Sequence, residues 1–374
     1  MKYYVIAGEK SGDLHAANLL AALKNHDSAA QFRGFGGDDM QAQGMTIVKH
    51  YRELAFMGFL EVIKNLRTIF KNIAFCKQDI LDFKPDVVIL VDYPGFNLRI
   101  AAFTKKENIP VFYYISPKVW AWNTKRAWKI KANVDRMFVI FPFEVPFYEQ
   151  FGYKVDFVGN PLFDAIAKFT PQTDFLANNQ LSVSQKIIAI LPGSRRQELE
   201  KNLPEMLSVY ENFSDYQFVI AGIDQFSIDF YRQFFPKNTA NLKIKIIFNQ
   251  TYDLLVHAEA ALVTSGTATL ETALLGIPQV VCYKMSGFTY AIAKNLVKVP
   301  YISLVNLVAQ KEVVKELIQN DLNSNNLTTE LRKIIVGGEK RAIQLQQYQL
   351  LKDSLGTAGA SETTAKLMTK YLKV

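Results

Sequence analysis

The sequence predicts an α/β protein made of two doubly wound units facing a cleft. Three observations carry the prediction. Apolar runs of strand length alternate with helical patterns from end to end. The alternation restarts after Gly159-Asn160-Pro161. Short polar turns separate the runs from the helices that follow, as in parallel sheets covered on both faces.

The elements follow in order. Tyr3–Ala7 is a strand, and a helix follows near Asp13–Asn25. A helical region over 57–83 leads to strands at Val87–Val91, Val111–Ile115 and Met137–Phe141. The second series is Ile187–Leu191, Gln217–Ala221, Lys243–Phe248, Ala260–Val263 and Val280–Tyr283. Leu275-Gly276-Ile277-Pro278 ends the helix before the last of these, because Gly and Pro stop helices. The expected domains are 1–163 on the acceptor side, 164–350 on the donor side, and 351–374. The last is a helix packing back on the first domain or on a partner subunit. The stretch from Thr328 to Val374 is polar enough to read as a surface element.

A length of 374 residues allows two domains with their own cores, and 49% hydrophobic against 21% charged residues excludes a disordered chain. Cys76 and Cys282 sit in apolar surroundings and read as packed thiols of a reducing compartment. Met1–Ala7 is too short for the apolar core of a signal peptide. No stretch reaches the roughly 18 apolar residues of a membrane span, so a cytoplasmic location is expected. The net charge is +8, and residues 99–136 hold nine Lys or Arg against Glu107 and Asp135, together with Trp120, Trp122 and Trp128. Such a window suits nucleic acid, an anionic membrane or a phosphorylated ligand; a solvated face over buried aromatics is the plain alternative.

In open α/β sheets ligands sit beyond the carboxyl ends of the strands. Ser265-Gly266-Thr267-Ala268 follows a buried strand and opens a helix, which aims unpaired amides at one point and suits a diphosphate. Glu271, a turn later, can accept from sugar hydroxyls. Pro192-Gly193-Ser194-Arg195 occupies the equivalent place after the first strand of the second unit, and a guanidinium binds phosphate in bidentate fashion. In the first unit Gly8-Glu9-Lys10-Ser11-Gly12-Asp13 follows the first strand; Ser11 or Asp13 can cap the helix, which leaves Glu9 unused. Asp92 ends Val87–Val91, where a general base belongs, although an Asp before Pro94 also suits a simple turn. Phe59, Val62, Ile63, Leu66, Ile69, Phe70 and Ile73 form a helical stripe that reads as core. Beside it Leu60 lies among Lys64, Arg67 and Lys71, with Met57 nearby, as on a membrane-facing edge. His15, His26, His50 and His257 have no metal-ligand spacing, and no Walker lysine or nucleophile elbow is present, so no metal or other cofactor is expected.

Taken together, Ala7–Asp13, Met57–Val62, Val91–Asn97, Ser116-Pro117-Lys118-Val119-Trp120-Ala121-Trp122, Leu191–Arg195, Ser265–Glu271 and Tyr301–Leu307 resemble the bacterial lipid-A-disaccharide synthases. Lys10 stands where that family often has Thr, and Asn160 where a His is frequent. The resemblance implies two Rossmann-like domains of the GT-B architecture. It implies an inverting transfer from UDP-2,3-diacylglucosamine to 2,3-diacylglucosamine 1-phosphate (lipid X), with UDP released. Asp92 would then be the base; Arg195 with Ser265, Gly266, Thr267 and Ala268 would hold the diphosphate; and Glu271 would hold the ribose. Glu9, Ser11 and Asn306 would line the cleft. Met57, Leu60, Lys64, Arg67 and Lys71 would touch lipid at the cytoplasmic face of the inner membrane, without nucleic acid, and a homodimer is a further implication. Two other readings compete: a UDP-N-acetylglucosamine 2-epimerase-like enzyme, and a non-catalytic binder of UDP-sugar lipids.

Overall fold

The computed structural model describes residues 1–54, 66–236, 243–287, 290 and 299–373. They form two compact units, Met1–Asp164 with Leu355–Val374, and Ala165–Ser354. Each is a parallel sheet with helices.

The first unit holds β1 (Lys2–Ala7), β2 (Gln31–Gly36), β3 (Thr46–His50), β4 (Val87–Val91), β5 (Val111–Tyr114), β6 (Arg136–Val139) and β7 (Asp156–Phe157). Their order is β3-β2-β1-β4-β5-β6-β7. Both faces are covered, so β1 and β4 are apolar at every interior position rather than alternating. Tyr4, Ile6, Val88, Leu90 and Tyr113 pack on Ile73, Cys76, Ile80, Ile100 and Ile130. β1 and β2 approach so closely at Gly34 (φ +143°) that a Cβ there would lie 2.2 Å from the Val5 carbonyl oxygen.

The second unit holds β8 (Ile187–Leu191), β9 (Gln217–Gly222), β10 (Ile244–Phe248), β11 (Ala258–Thr264), β12 (Gln279–Tyr283) and β13 (Lys315–Ile318), ordered β10-β9-β8-β11-β12-β13. Alternate residues serve two cores. Ile188, Ile190, Leu262 and Val280 meet Leu199, Leu203, Leu207 and Leu331, while Ala189, Leu191, Ala261 and Val263 meet Leu254 and Leu255.

In both sheets the strand order reverses at one place, between β1 and β4 and between β8 and β11. The loops leaving those four strands therefore diverge and open a crevice at the carboxyl ends. Register sets the loops side by side, with Ala7 opposite Val91 and Leu191 opposite Val263.

Several strand ends differ from the sequence reading. β5 stops at Tyr114 because Ile115 turns left-handed (φ +64°). The first helix, Lys10–His26, begins before Asp13. The tail is more than surface covering. Leu327, Leu331, Tyr348, Leu351, Leu355 and Met368 are buried, since each helix keeps its polar residues outside and an apolar stripe inside. The final helix, Ala360–Leu372, packs against Lys10–His26, and the Asp164 carboxylate accepts from the backbone amides of Gly359, Ala360 and Ser361 at its start.

Candidate active site

In the first unit, β4 delivers Asp92 and the turn after it is strained. Asp92 and Tyr93 are both left-handed (φ +43° and +49°) before Pro94 begins the next helix, Pro94–Lys106. Non-glycine residues hold such a conformation only where the surroundings impose it. Here the Asp92 carbonyl accepts from Asn97 Nδ2 at 2.7 Å and from the Tyr113 hydroxyl. Its amide donates to Tyr114 O at 3.2 Å. The Tyr93 ring lies over Gly8, where an added Cβ would come within 2.3 Å of the ring, and its hydroxyl donates to Leu54 O. The backbone is thus fixed on both sides, and among the described residues no side chain donates to the carboxylate.

Burial raises the Asp92 carboxyl to about 6; the nearby Glu9 carboxylate adds to the rise and Lys118 opposes it. Glu9 is half-buried at the start of Lys10–His26, and Ser11 is exposed beside it. Neither Ser11 nor Asp13 caps that helix. Asp13 is buried and instead accepts from the amides of Gly37 (2.7 Å), Asp39 (3.1 Å) and Met40 (3.2 Å), capping the neighbouring helix Asp38–Ala42. The reason is direction: in the first turn of its own helix Asp13 points sideways, towards the loop after β2.

Lys118 belongs to the site although sequence reasoning gave it no role. Its loop is pinned at both ends. Ser116 Oγ lies 2.7 Å from the Tyr148 hydroxyl, and Trp120 Nε1 donates to Glu144 Oε1 at 3.2 Å. The other Glu144 oxygen accepts from the amides of Ile140 and Phe141, and burial raises this carboxyl to about 7. The Ser-Pro-Lys-Val-Trp segment was the available signal. Of the tryptophans, Trp120 is buried, while Trp128 is 55% exposed beside Lys131.

In the second unit, the Arg195 guanidinium is exposed, but the loop that carries it is internally satisfied. Glu198 Oε2 accepts from the amides of Ser194 (3.2 Å) and Arg195 (3.3 Å). The guanidinium, which also lies 3.5 Å from Glu198 Oε1, is more accessible to a phosphate than these amides. After β11, the Ser265 hydroxyl is committed to the Ile302 carbonyl (2.8 Å), which leaves its lone pairs for a ligand. Gly266 precedes the helix Thr267–Leu274, where Thr267 is exposed and Ala268 half-buried; among the described residues a Cβ at Gly266 would meet nothing within 4 Å, so they leave the helix start open. Glu271, in that helix, accepts from the Tyr252 hydroxyl at 2.8 Å, and burial raises its pKa.

Asn306 is not placed to touch a ligand. It is fully buried; its Nδ2 donates to Val314 O and Glu316 Oε1, and its Oδ1 accepts from the amides of Val313 and Val314. All its hydrogen-bonding capacity holds the 313–316 segment.

Of the lipid-contact candidates, Met57, Leu60 and Lys64 lie outside the described residues, as do Phe59, Val62 and Ile63 of the expected core stripe. Arg67 and Lys71 are exposed on the helix Leu66–Phe83. Ile73 is buried and Ile69 partly so, but Phe70 is 56% exposed, as is much of Phe75. Phe70 thus leaves the core stripe: it falls between the buried face and the cations. Among the described residues no group of three or more His, Cys, Asp or Glu is placed to hold a metal, and no helix is long and apolar enough to cross a membrane.

The family model described as lipid-A-disaccharide synthetase matches residues 3–370. The lipid-A-disaccharide synthase of Syntrophus aciditrophicus is 39% identical over 373 residues, covering 99% of this chain and 97% of that protein. Two solved structures share the fold at low identity. The UDP-GlcNAc 2-epimerase from Neisseria meningitidis bound to UDP-GlcNAc has a TM-score of 0.67 at 16% identity, covering 99% of this chain and 100% of that one. CalG4, the calicheamicin glycosyltransferase, has a TM-score of 0.61 at 14% identity, covering 100% and 98%.

Proposed function

The chain belongs to the lipid-A-disaccharide synthase family, and from that premise we propose how its residues carry out the transfer. It is a glycosyltransferase of lipid A biosynthesis, and its substrates are lipid-linked sugars. The donor is UDP-2,3-diacylglucosamine and the acceptor 2,3-diacylglucosamine 1-phosphate. The product is the β-1′,6-linked tetraacyl disaccharide 1-phosphate with UDP.

Asp92 takes the proton from the acceptor 6-hydroxyl as that oxygen attacks the anomeric carbon from the face opposite UDP, so the configuration inverts. One observation carries this role: a carboxylate at the strand-order reversal of the first sheet, without a side-chain donor among the described residues and raised to about 6, stays ionised near neutrality yet is basic enough to accept a proton. Glu9 keeps the carboxylate basic, and the exposed Ser11, in the first turn of Lys10–His26, binds sugar or phosphate. The departing UDP gains charge, which the amides at 265–268 and the Arg195 guanidinium neutralise. Glu271 accepts from the ribose. The reading requires these groups and Asp92 to act on one bound donor.

The decisive test supplies the purified protein with both acylated substrates and reads the product by mass spectrometry. Disaccharide formation that depends strictly on the acylated sugar phosphate is the expected result. A C2 epimer formed from the UDP-sugar alone would replace this reading with the epimerase one.

The exposed Arg67 and Lys71 beside Phe70 support peripheral binding at the cytoplasmic face of the inner membrane, where both lipid substrates reside, and the sequence spacing of Met57, Leu60 and Lys64 adds them as candidates. Arg67→Glu with Lys71→Glu is expected to cut sedimentation with anionic vesicles by about tenfold at low salt, and less at high salt. Unchanged sedimentation would leave this helix edge as ordinary surface.

A further inference from the structure

We propose that Tyr252 is a positioning residue that, through Glu271, makes the second unit select a ribonucleotide over a 2′-deoxyribonucleotide. The inference rests on the assignment of Glu271 to the ribose and adds a residue and a selectivity to it. Tyr252 sits in the helix Thr251–Val256, and its ring packs edge-on against Phe169 (centroids 5.4 Å apart, planes at 87°). That packing fixes where the hydroxyl points, and it donates to Glu271 Oε1 at 2.8 Å. Tyr252 is the side chain that pairs with Glu271 among the described residues, so the second oxygen, Oε2, is left as an acceptor.

Two consequences follow. With one oxygen held, the carboxylate cannot rotate, and Oε2 keeps one direction relative to the open helix start at Gly266. A sugar diol donating to that oxygen satisfies a half-buried acceptor, whereas a ligand lacking one hydroxyl leaves it short. Sites built to bind a hydroxyl discriminate strongly for this reason. Removal of the phenol hydroxyl has a second effect. Burial already pushes Glu271 towards its neutral form, and the Tyr252 hydrogen bond opposes that push. Without it the carboxyl turns and protonates more readily, and both changes weaken its hold on a diol.

The experiment is calorimetric titration of the full chain with UDP and with 2′-deoxy-UDP. Wild type, Tyr252→Phe and Glu271→Gln are compared. Tyr252→Phe keeps the ring against Phe169, and its melting curve checks the fold. Wild type is expected to bind UDP about tenfold more tightly than the deoxy analogue. In Tyr252→Phe the UDP affinity falls about fivefold while the deoxy affinity hardly moves, so the preference collapses. The loss grows as the pH is lowered, as protonation of Glu271 requires. Equal weakening of both ligands, or an intact preference, overturns the proposal. Glu271→Gln separates the two levels. A preference that survives Glu271→Gln defeats the ribose assignment itself. One that vanishes in Glu271→Gln but persists in Tyr252→Phe defeats only the role given to Tyr252.

Discussion

Asp92→Asn is expected to lower kcat by about three orders of magnitude and at the same time to make the protein more stable. The first effect follows from the loss of the base, since a positioned proton acceptor contributes about 10²–10⁴ in rate. The second follows from the cost of the charge. The folded-state carboxyl sits at about 6, above its ordinary 3.8, so the folded protein binds the proton more tightly than the unfolded chain does. Stability contributed by the protonated form is present below pH 3.8, declines as pH rises towards 6, and stays lost above it. At neutral pH that penalty is on the order of 2–3 kcal/mol, and an Asn avoids it while tolerating the left-handed backbone. The measurement pairs steady-state rates with melting curves at pH 5 and pH 8; the variant's gain in melting temperature is larger at pH 8. Wild-type kcat falls as pH drops through about 6, when Asp92 takes up its proton. A variant with wild-type turnover would remove Asp92 from the chemistry. One with lost turnover and lowered stability would show that the carboxylate holds the turn instead.

Asn306→Leu carries the largest expected loss of stability. Leucine fills similar volume but offers no polar atom. It strands the amides of Val313 and Val314 without an acceptor and Val314 O without its side-chain donor, while Glu316 loses one donor and keeps those of Ser303 and the Ile302 amide. A buried group left unsatisfied costs about 1–3 kcal/mol; shared relaxation makes the sum smaller than the parts, so about 4 kcal/mol is expected. For a unit of this size that lowers the melting temperature by about 10 °C. Below its melting range the variant is expected to keep most of its UDP affinity. An unchanged melting curve with abolished UDP binding would return Asn306 to the ligand.

Most of the sheet framework was legible in the amino acids because buried parallel strands such as Val87–Val91 and Ile187–Leu191 are unbroken apolar runs. The strands that escaped notice lack that signature. β2 carries Gly34 and Gly36, β3 reads Thr-Ile-Val-Lys-His at one sheet's edge, β7 has two residues, and β13 reads Lys-Glu-Leu-Ile at the other sheet's edge. The loops that flank the two reversals in strand order were legible too, since each follows a conspicuous apolar run. What each polar side chain does there was less so. Asp13, Asn306 and Tyr252 differ in role only through partners 19 or more residues away, or through a loop folded back on itself, and spacing holds no trace of those contacts. Phe70 was misjudged for another reason: a stripe at helical spacing says which residues share a face, and the boundary of that face depends on what covers it.

The link between Asp164 and the amides of 359–361 has a consequence for biogenesis. The first unit needs Leu355–Val374, so the face of its helix Lys10–His26 that Ala360–Leu372 covers stays open until that segment leaves the ribosome. The intervening unit, one continuous stretch from Ala165 to Ser354, can close before then. Maturation therefore runs against the order of synthesis. A stop codon directly after Ser354 would leave the half that bears Asp92 unfinished while sparing the half that bears Arg195 and Glu271.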